Sequence, residues 1–134
     1  MKAYRIFSLT GTITFALVGL IFLFIPSQVL VFFNYLSAYL GMPQSPVEGV
    51  SFYLILAVSY MYLVTQLAFL MYRYPRERSY LFLLVNAKLA SSAVSLYLFL
   101  IHQPYLIYLA NCVIDGCIGL VALYFLQKMP KVKG

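Results

Sequence analysis

The chain has 134 residues, 64% of them hydrophobic and only 9% charged, with a mean hydropathy of +0.94. That composition excludes an ordinary water-soluble domain, and four spans of roughly 20 residues would take up most of the length, leaving no room for a separate soluble catalytic domain. The formal charge of +6 does not point to nucleic acid, because the Lys and Arg residues flank apolar stretches and are not interleaved with stacking aromatics on a polar face.

The first predicted span covers residues 6–25 and is ended by Pro26, whose missing N–H and ring clash oppose helix continuation. Lys2 and Arg5 ahead of an apolar stretch imitate a signal peptide, but the stretch is long enough to span and no small-x-small cleavage site follows, so it reads as retained. Ser27 is the expected cap of a short helix over residues 28–40. There Asn34, Ser37, Ala38 and Gly41 share one narrow polar or small face, a pattern suited to the membrane interface. Gly41 and Pro43 supply its stop.

The second span is predicted over residues 46–72, with Ser45 as N-cap, Pro46 at the first helical position and Glu48 completing a capping box. The turn Arg73-Tyr74-Pro75-Arg76-Glu77-Arg78 follows, with Pro75 expected to start the third helix and Glu77 to sit in its first turn. The third span covers residues 80–101. His102-Gln103-Pro104 is so short a connection that the fourth span, residues 105–128, must return as an antiparallel hairpin, with Pro104 expected at its start. The fold class expected is therefore all-α: one integral membrane domain over residues 1–134, a four-helix bundle with a short interfacial helix between the first two spans.

Lys2, Arg5, Arg73, Arg76, Arg78, Lys128, Lys131 and Lys133 all fall at the N-terminus, the second-to-third connection or the C-terminus, and the other two connections carry no Lys or Arg. By the positive-inside rule both termini are cytoplasmic, in a plasma (inner) membrane of bacterial type. With no Trp in the chain, Tyr4, Tyr35, Tyr39, Tyr72, Tyr74, Tyr80 and Tyr105 are expected to supply the interfacial belt.

Lys88 and Asp115 each lie well inside a span, where a lone charge costs roughly 2.5–3.5 kcal/mol on insertion scales. If the hairpin turns near Gln103, Lys88 faces Ile118 and Asp115 faces Ser91. The two charges are then about 4.5 Å apart along the axis, within reach of a lysine. Helical side chains lean toward their own N-terminus, so the two residues lean away from each other. Ser91, Ser92 and Ser95 form a polar stripe near Lys88, and Asn111 shares the face of Asp115. Asn86, Ala87, Ala90, Gly116 and Gly119 would let the two helices approach closely.

Two roles for the pair follow. Lys88 and Asp115 hold helix contacts, in the bundle or with a partner subunit, or Asp115 carries a proton with Lys88 as its charge partner. His102 is a loop histidine, and Cys112 and Cys117, five apart, lie on different sides of a helix and make neither a disulfide nor a metal site. No catalytic or metal-ligating residue is predicted. Thr10 and Thr14 are expected to bond between helices, and Tyr62 and Gln66 to line a polar interior. No cofactor is required, though the 18% aromatic content would suit a bound lipid, quinone or carotenoid.

Gly19-Leu20-Ile21-Phe22-Leu23-Phe24-Ile25-Pro26, Arg73-Tyr74-Pro75-Arg76-Glu77-Arg78, Lys88 and Asp115-Gly116 together resemble a class of small, uncharacterised four-span bacterial membrane proteins. The resemblance implies a four-helix bundle and no established activity. The glutamate that small multidrug transporters carry in their first span is missing, as is the Cys-x-x-Cys pair of the disulfide-forming families. The function expected is a non-enzymatic accessory or structural subunit of a larger integral membrane complex, of the kind found in energy conversion. The alternative is a small oligomeric proton-coupled transporter or channel using Asp115 and Lys88. Partners are the bilayer and either larger membrane subunits or further copies of the chain.

Overall fold

A computed structural model describes residues 2–47 and 51–131, with Ser51 and Phe52 described by backbone alone. It is helical throughout, and no strand occurs among the described residues. In chain order the helices are α1 (Lys2–Phe24), α2 (Pro26–Tyr39), α3 (Ser51–Arg73), α4 (Arg78–Tyr97) and α5 (Leu106–Lys128), and α4 runs on into a π-helical turn, Leu98–His102. Four segments, Lys2–Phe24, Tyr53–Arg73, Arg78–His102 and Leu106–Lys128, are long and apolar enough to cross a membrane.

Helix boundaries correct the sequence reading at Pro26, Pro46, Pro75 and Pro104. Ile25 breaks α1, and Pro26 is the first residue of α2, where the missing N–H would have had no partner in any case. Ser27 therefore lies inside α2 and does not cap it. Gly41 at φ 68° ends α2 as expected, with Gly41 N–H donating to Ala38 O and Met42 N–H to Ser37 O. Pro46 and Val47 belong to no helix, and α3 is described from Ser51, so Ser45 is not its cap. The expected role of Glu48 falls outside the described residues.

Pro75 does not open the third span either. It is the second residue of a turn closed by Glu77 N–H donating to Tyr74 O at 3.0 Å, a position its fixed φ favours. Glu77 is the N-cap of α4, not a first-turn residue, and accepts from the backbone N–H of Ser79. At the far end, Gln103 N–H donates to Leu98 O, closing the π turn. Pro104 consequently precedes the last helix, whose N-cap is Tyr105.

Two antiparallel pairs make up the bundle. In the α1/α3 pair, Arg5 lies over the Tyr72 ring, while Gly11 and Gly19 place α1 backbone beside Ala68 and Met61. In the α4/α5 hairpin, Arg78 donates to Met129 O near one end and Asn111 to Ser95 Oγ toward the other. α3 and α4 join the pairs, and α2 packs back on α5 and α1. This connectivity brings Lys2, Arg5, Arg73, Arg76, Arg78, Lys128 and Lys131 to one end of the molecule.

The buried core includes Tyr4, Phe15, Val64, Met71, Leu81, Leu84, Ala122 and Leu126, concentrated toward that basic end. Tyr4 is thus a core residue packed edge-on to Phe125, not a member of the interfacial belt. Large apolar side chains face outward on all four long helices, as at Ile13, Leu17, Leu63, Leu83 and Leu120. Apolar surface on this scale is the inverse of a soluble protein's exterior.

Candidate functional site: a buried ion pair walled by aromatic rings

Lys88 sits on the inward face of α4, in register with the buried Leu81, Leu84, Val85 and Ser95. Asp115 occupies the inward face of α5 with Gly119, Ala122 and Leu126. Lys88 Nζ donates to Asp115 Oδ1 at 2.9 Å, with side-chain exposures of 2% and 7%. The pair therefore closes within one chain. The opposing lean of the two side chains is overcome by the length of the lysine, whose four-carbon stem reaches along the hairpin.

The other two bundle helices complete the enclosure. Phe15 of α1 presents its ring 4.3 Å from Lys88 Nζ, and Tyr60 of α3 presents its ring at 5.2 Å. Tyr60 is itself held by donating its hydroxyl to Ala87 O at 3.3 Å. An ammonium has three N–H donors and no acceptor. One meets the carboxylate, and the electron-rich faces of two rings balance part of the remaining charge, a contact that strengthens when water is excluded. All four long helices thus contribute a side chain to a single point in the interior.

Phe15 and Tyr60 were not singled out from the sequence. Gly11, Phe15 and Gly19 recur every four residues on one face of α1, and that spacing marks the side on which α1 meets α3. For Tyr60 the sequence carries no comparable signal.

The polar strip beside the pair staples the hairpin. Ser92 Oγ donates to Cys112 O at 2.7 Å, and the Asn111 amide donates to Ser91 Oγ at 3.0 Å and Ser95 Oγ at 2.6 Å. Gly116 and Gly119 allow the close approach: a Cβ on Gly116 would lie 2.9 Å from Ser92 Oγ, and one on Gly119 would lie 2.7 Å from Leu89 Cδ2. Asn86 and Ala90, expected in the same contact, instead face outward.

The geometry corrects the expectations for Thr10, Thr14, Tyr62 and Gln66. Thr10 and Thr14 are exposed and bond to no neighbouring helix among the described residues, whereas Ser8 and Thr12 donate to carbonyls four residues back in α1. Gln66 and Tyr62 bond to each other on the outer face of α3 and do not line an interior. His102 is exposed in the π-helical turn, and Cys112 and Cys117 are free thiols.

A device unanticipated from the sequence fixes the connection after α2. The Asn34 amide donates to Ser45 O and accepts from Ser45 N–H, both at 2.8 Å, so it pairs with that backbone as a neighbouring peptide would. This contact holds the Ser45 backbone N–H and C=O in that connection, and Pro46 and Val47 after it are non-helical.

Two depressions in the surface, one along α2 at Ser27, Gln28, Val31, Phe32 and Tyr35 and one at Arg78, Ser79, Phe82 and Leu83, open outward. Neither is lined by Lys88 or Asp115. Among the described residues no group of three or more His, Cys, Asp or Glu is placed to hold a metal.

No family model, no curated protein and no solved structure matches this chain.

Proposed function

We propose that the chain is a multi-pass membrane protein of the inner membrane, with both termini cytoplasmic and α2 in the outer interface, acting as a non-enzymatic accessory subunit of a larger integral complex. The observation that carries the proposal is the enclosure of Lys88 and Asp115. The two interior charges satisfy each other behind Phe15 and Tyr60, and a pair so enclosed fixes helix register instead of meeting a substrate. The gathering of cations at one end supports the orientation.

Mild-detergent extraction from the source membranes, native-gel separation and mass spectrometry of whatever travels with the chain tests this. Stable co-migration with larger membrane subunits is expected, and isolation as a lone monomer would end the proposal. A reporter fused after Gly134 tests orientation independently, with a cytoplasmic signal expected.

A second reading, proton-coupled transport, is favoured by one observation. Asp115 accepts a hydrogen bond from Lys88 alone among the described residues, and the strip beside it reaches the surface at Asn111. Transport in reconstituted vesicles that stopped on Asp115→Asn would move the weight to this mechanism.

A further inference from the structure

The outer face of α3 carries a polar group that the described residues leave half satisfied. Ser59, Tyr62, Leu63, Gln66 and Phe69 are exposed at helical spacing, opposite the buried Val64, Leu67, Ala68 and Met71. Gln66 Nε2 lies 2.6 Å from the Tyr62 hydroxyl, and the amide has no other partner among the described residues. Whichever way the carboxamide is turned, one of its two ends remains free. Its own helix cannot fill that end with a donor, because the backbone N–H groups of α3 are committed to the helix ladder.

Gln66 precedes Arg73, the last residue of α3, by seven positions, or roughly 10 Å of helix. With Arg73 at the headgroups, that depth lies inside the hydrocarbon layer, where no water completes the amide's bonds. Resting on the membrane-spanning reading above, we infer that the Ser59–Phe69 face of α3 is a self-association surface, on which Gln66 of one copy pairs with Gln66 of a second copy.

A second copy fits better than a different protein for two reasons. Copies inserted in one orientation dimerise about an axis along the bilayer normal, so identical residues meet at identical depth. A carboxamide is also its own complement, offering N–H to C=O in both directions, and no charge on the stripe between Ser59 and Phe69 repels a like surface. The Tyr62 hydroxyls flank the contact and keep the two amides in place.

The test is cysteine cross-linking of the full chain in lipid vesicles, in a background carrying Cys112→Ala and Cys117→Ala, with single probes at Ser59→Cys and Leu63→Cys, which share the stripe and leave Gln66 and Tyr62 intact, and, as a control on the exposed face of α4, Asn86→Cys. Dimers are expected from the two α3 probes and not from the α4 probe. In parallel, energy transfer between labelled copies with Gln66 intact should report a dimer whose dissociation constant rises about tenfold on Gln66→Leu.

Cross-links through Asn86→Cys alone, or a dissociation constant unmoved by Gln66→Leu, would overturn the inference. So would a cross-link from the α3 probes only to other proteins when the experiment is repeated in source membranes. Alkaline carbonate separates the two levels of failure. A monomer that resists extraction defeats the dimer alone, whereas a chain released by carbonate defeats the membrane reading beneath it.

Discussion

Lys88 of α4 and Asp115 of α5 meet at 2.9 Å with almost no access to solvent, and the contact lies between the Phe15 ring of α1 and the Tyr60 ring of α3. Removing one partner strands the other. Lys88→Met is therefore expected to destabilise the bundle by about 3–5 kcal/mol, and Asp115→Leu by a similar amount. Combining the two should recover most of that loss, since an apolar pair of similar volume needs no compensation. Equilibrium unfolding of the parent and the three variants in mixed micelles measures the cycle, and a double variant as unstable as the sum of the singles would show the two charges to be independent.

The α4/α5 contact makes a second prediction. A Cβ on Gly119 would lie 2.7 Å from Leu89 Cδ2 and 3.1 Å from its Cγ, but 3.4 Å from its backbone nitrogen. The conflict is thus with a side chain and not with the helix itself. Gly119→Ala is expected to cost about 1–3 kcal/mol by overpacking. Adding Leu89→Ala should relieve the strain, so that the double variant unfolds later than Gly119→Ala alone in the same micelle assay.

Residue patterning conveys the hairpin well and the tertiary surroundings poorly. A connection as short as His102-Gln103-Pro104 leaves one antiparallel register open, and with it the polar strip of Ser91, Ser92, Ser95 and Asn111 and the reach of Lys88 to Asp115 could be placed. Phe15 and Tyr60 could not, because in a chain so rich in Phe and Tyr an aromatic at a helical position says little about which face it takes. The prolines misled for a related reason. Pro46, Pro75 and Pro104 all suit a first helical turn locally, yet Pro46 follows a segment held by the Asn34 contact with Ser45, and the Tyr74–Glu77 turn and the Leu98–Gln103 closure leave Pro75 and Pro104 outside the helices that follow them. Gln66 and Tyr62 stand four apart and share a face of α3, but periodicity alone does not say whether such a polar stripe faces in or out, and it faces out.

Asn34 holds the chain after α2 by acting as a surrogate peptide toward Ser45. Asn34→Ala removes both bonds and leaves a half-buried backbone pair unmet, a loss of about 1–3 kcal/mol confined to that connection. Asn34→Asp keeps an acceptor for the Ser45 N–H but loses the donor to its carbonyl, and should fall between the two. Hydrogen exchange at the Ser45 amide orders the three proteins: slowest in the parent, intermediate in Asn34→Asp, fastest in Asn34→Ala.

Glu77 provides the pH-dependent contact at the basic end. The Ser79 hydroxyl at 2.8 Å and the Ser79 backbone N–H at 3.2 Å both donate to Glu77 Oε1, and these bonds hold its carboxyl below its ordinary value of 4.5. Because the folded value is the lower one, the cap's contribution is fully present above the unfolded pKa and is lost as pH falls through the folded one. Protection of the Ser79 amide, corrected for intrinsic exchange, should therefore be flat from neutrality down to the ordinary carboxylate range and decline below it. Glu77→Ala should be unprotected there at every pH. Glu77→Gln, with an uncharged acceptor in place, should retain partial protection with no pH dependence, and a parallel decline in that variant would assign the transition to another group.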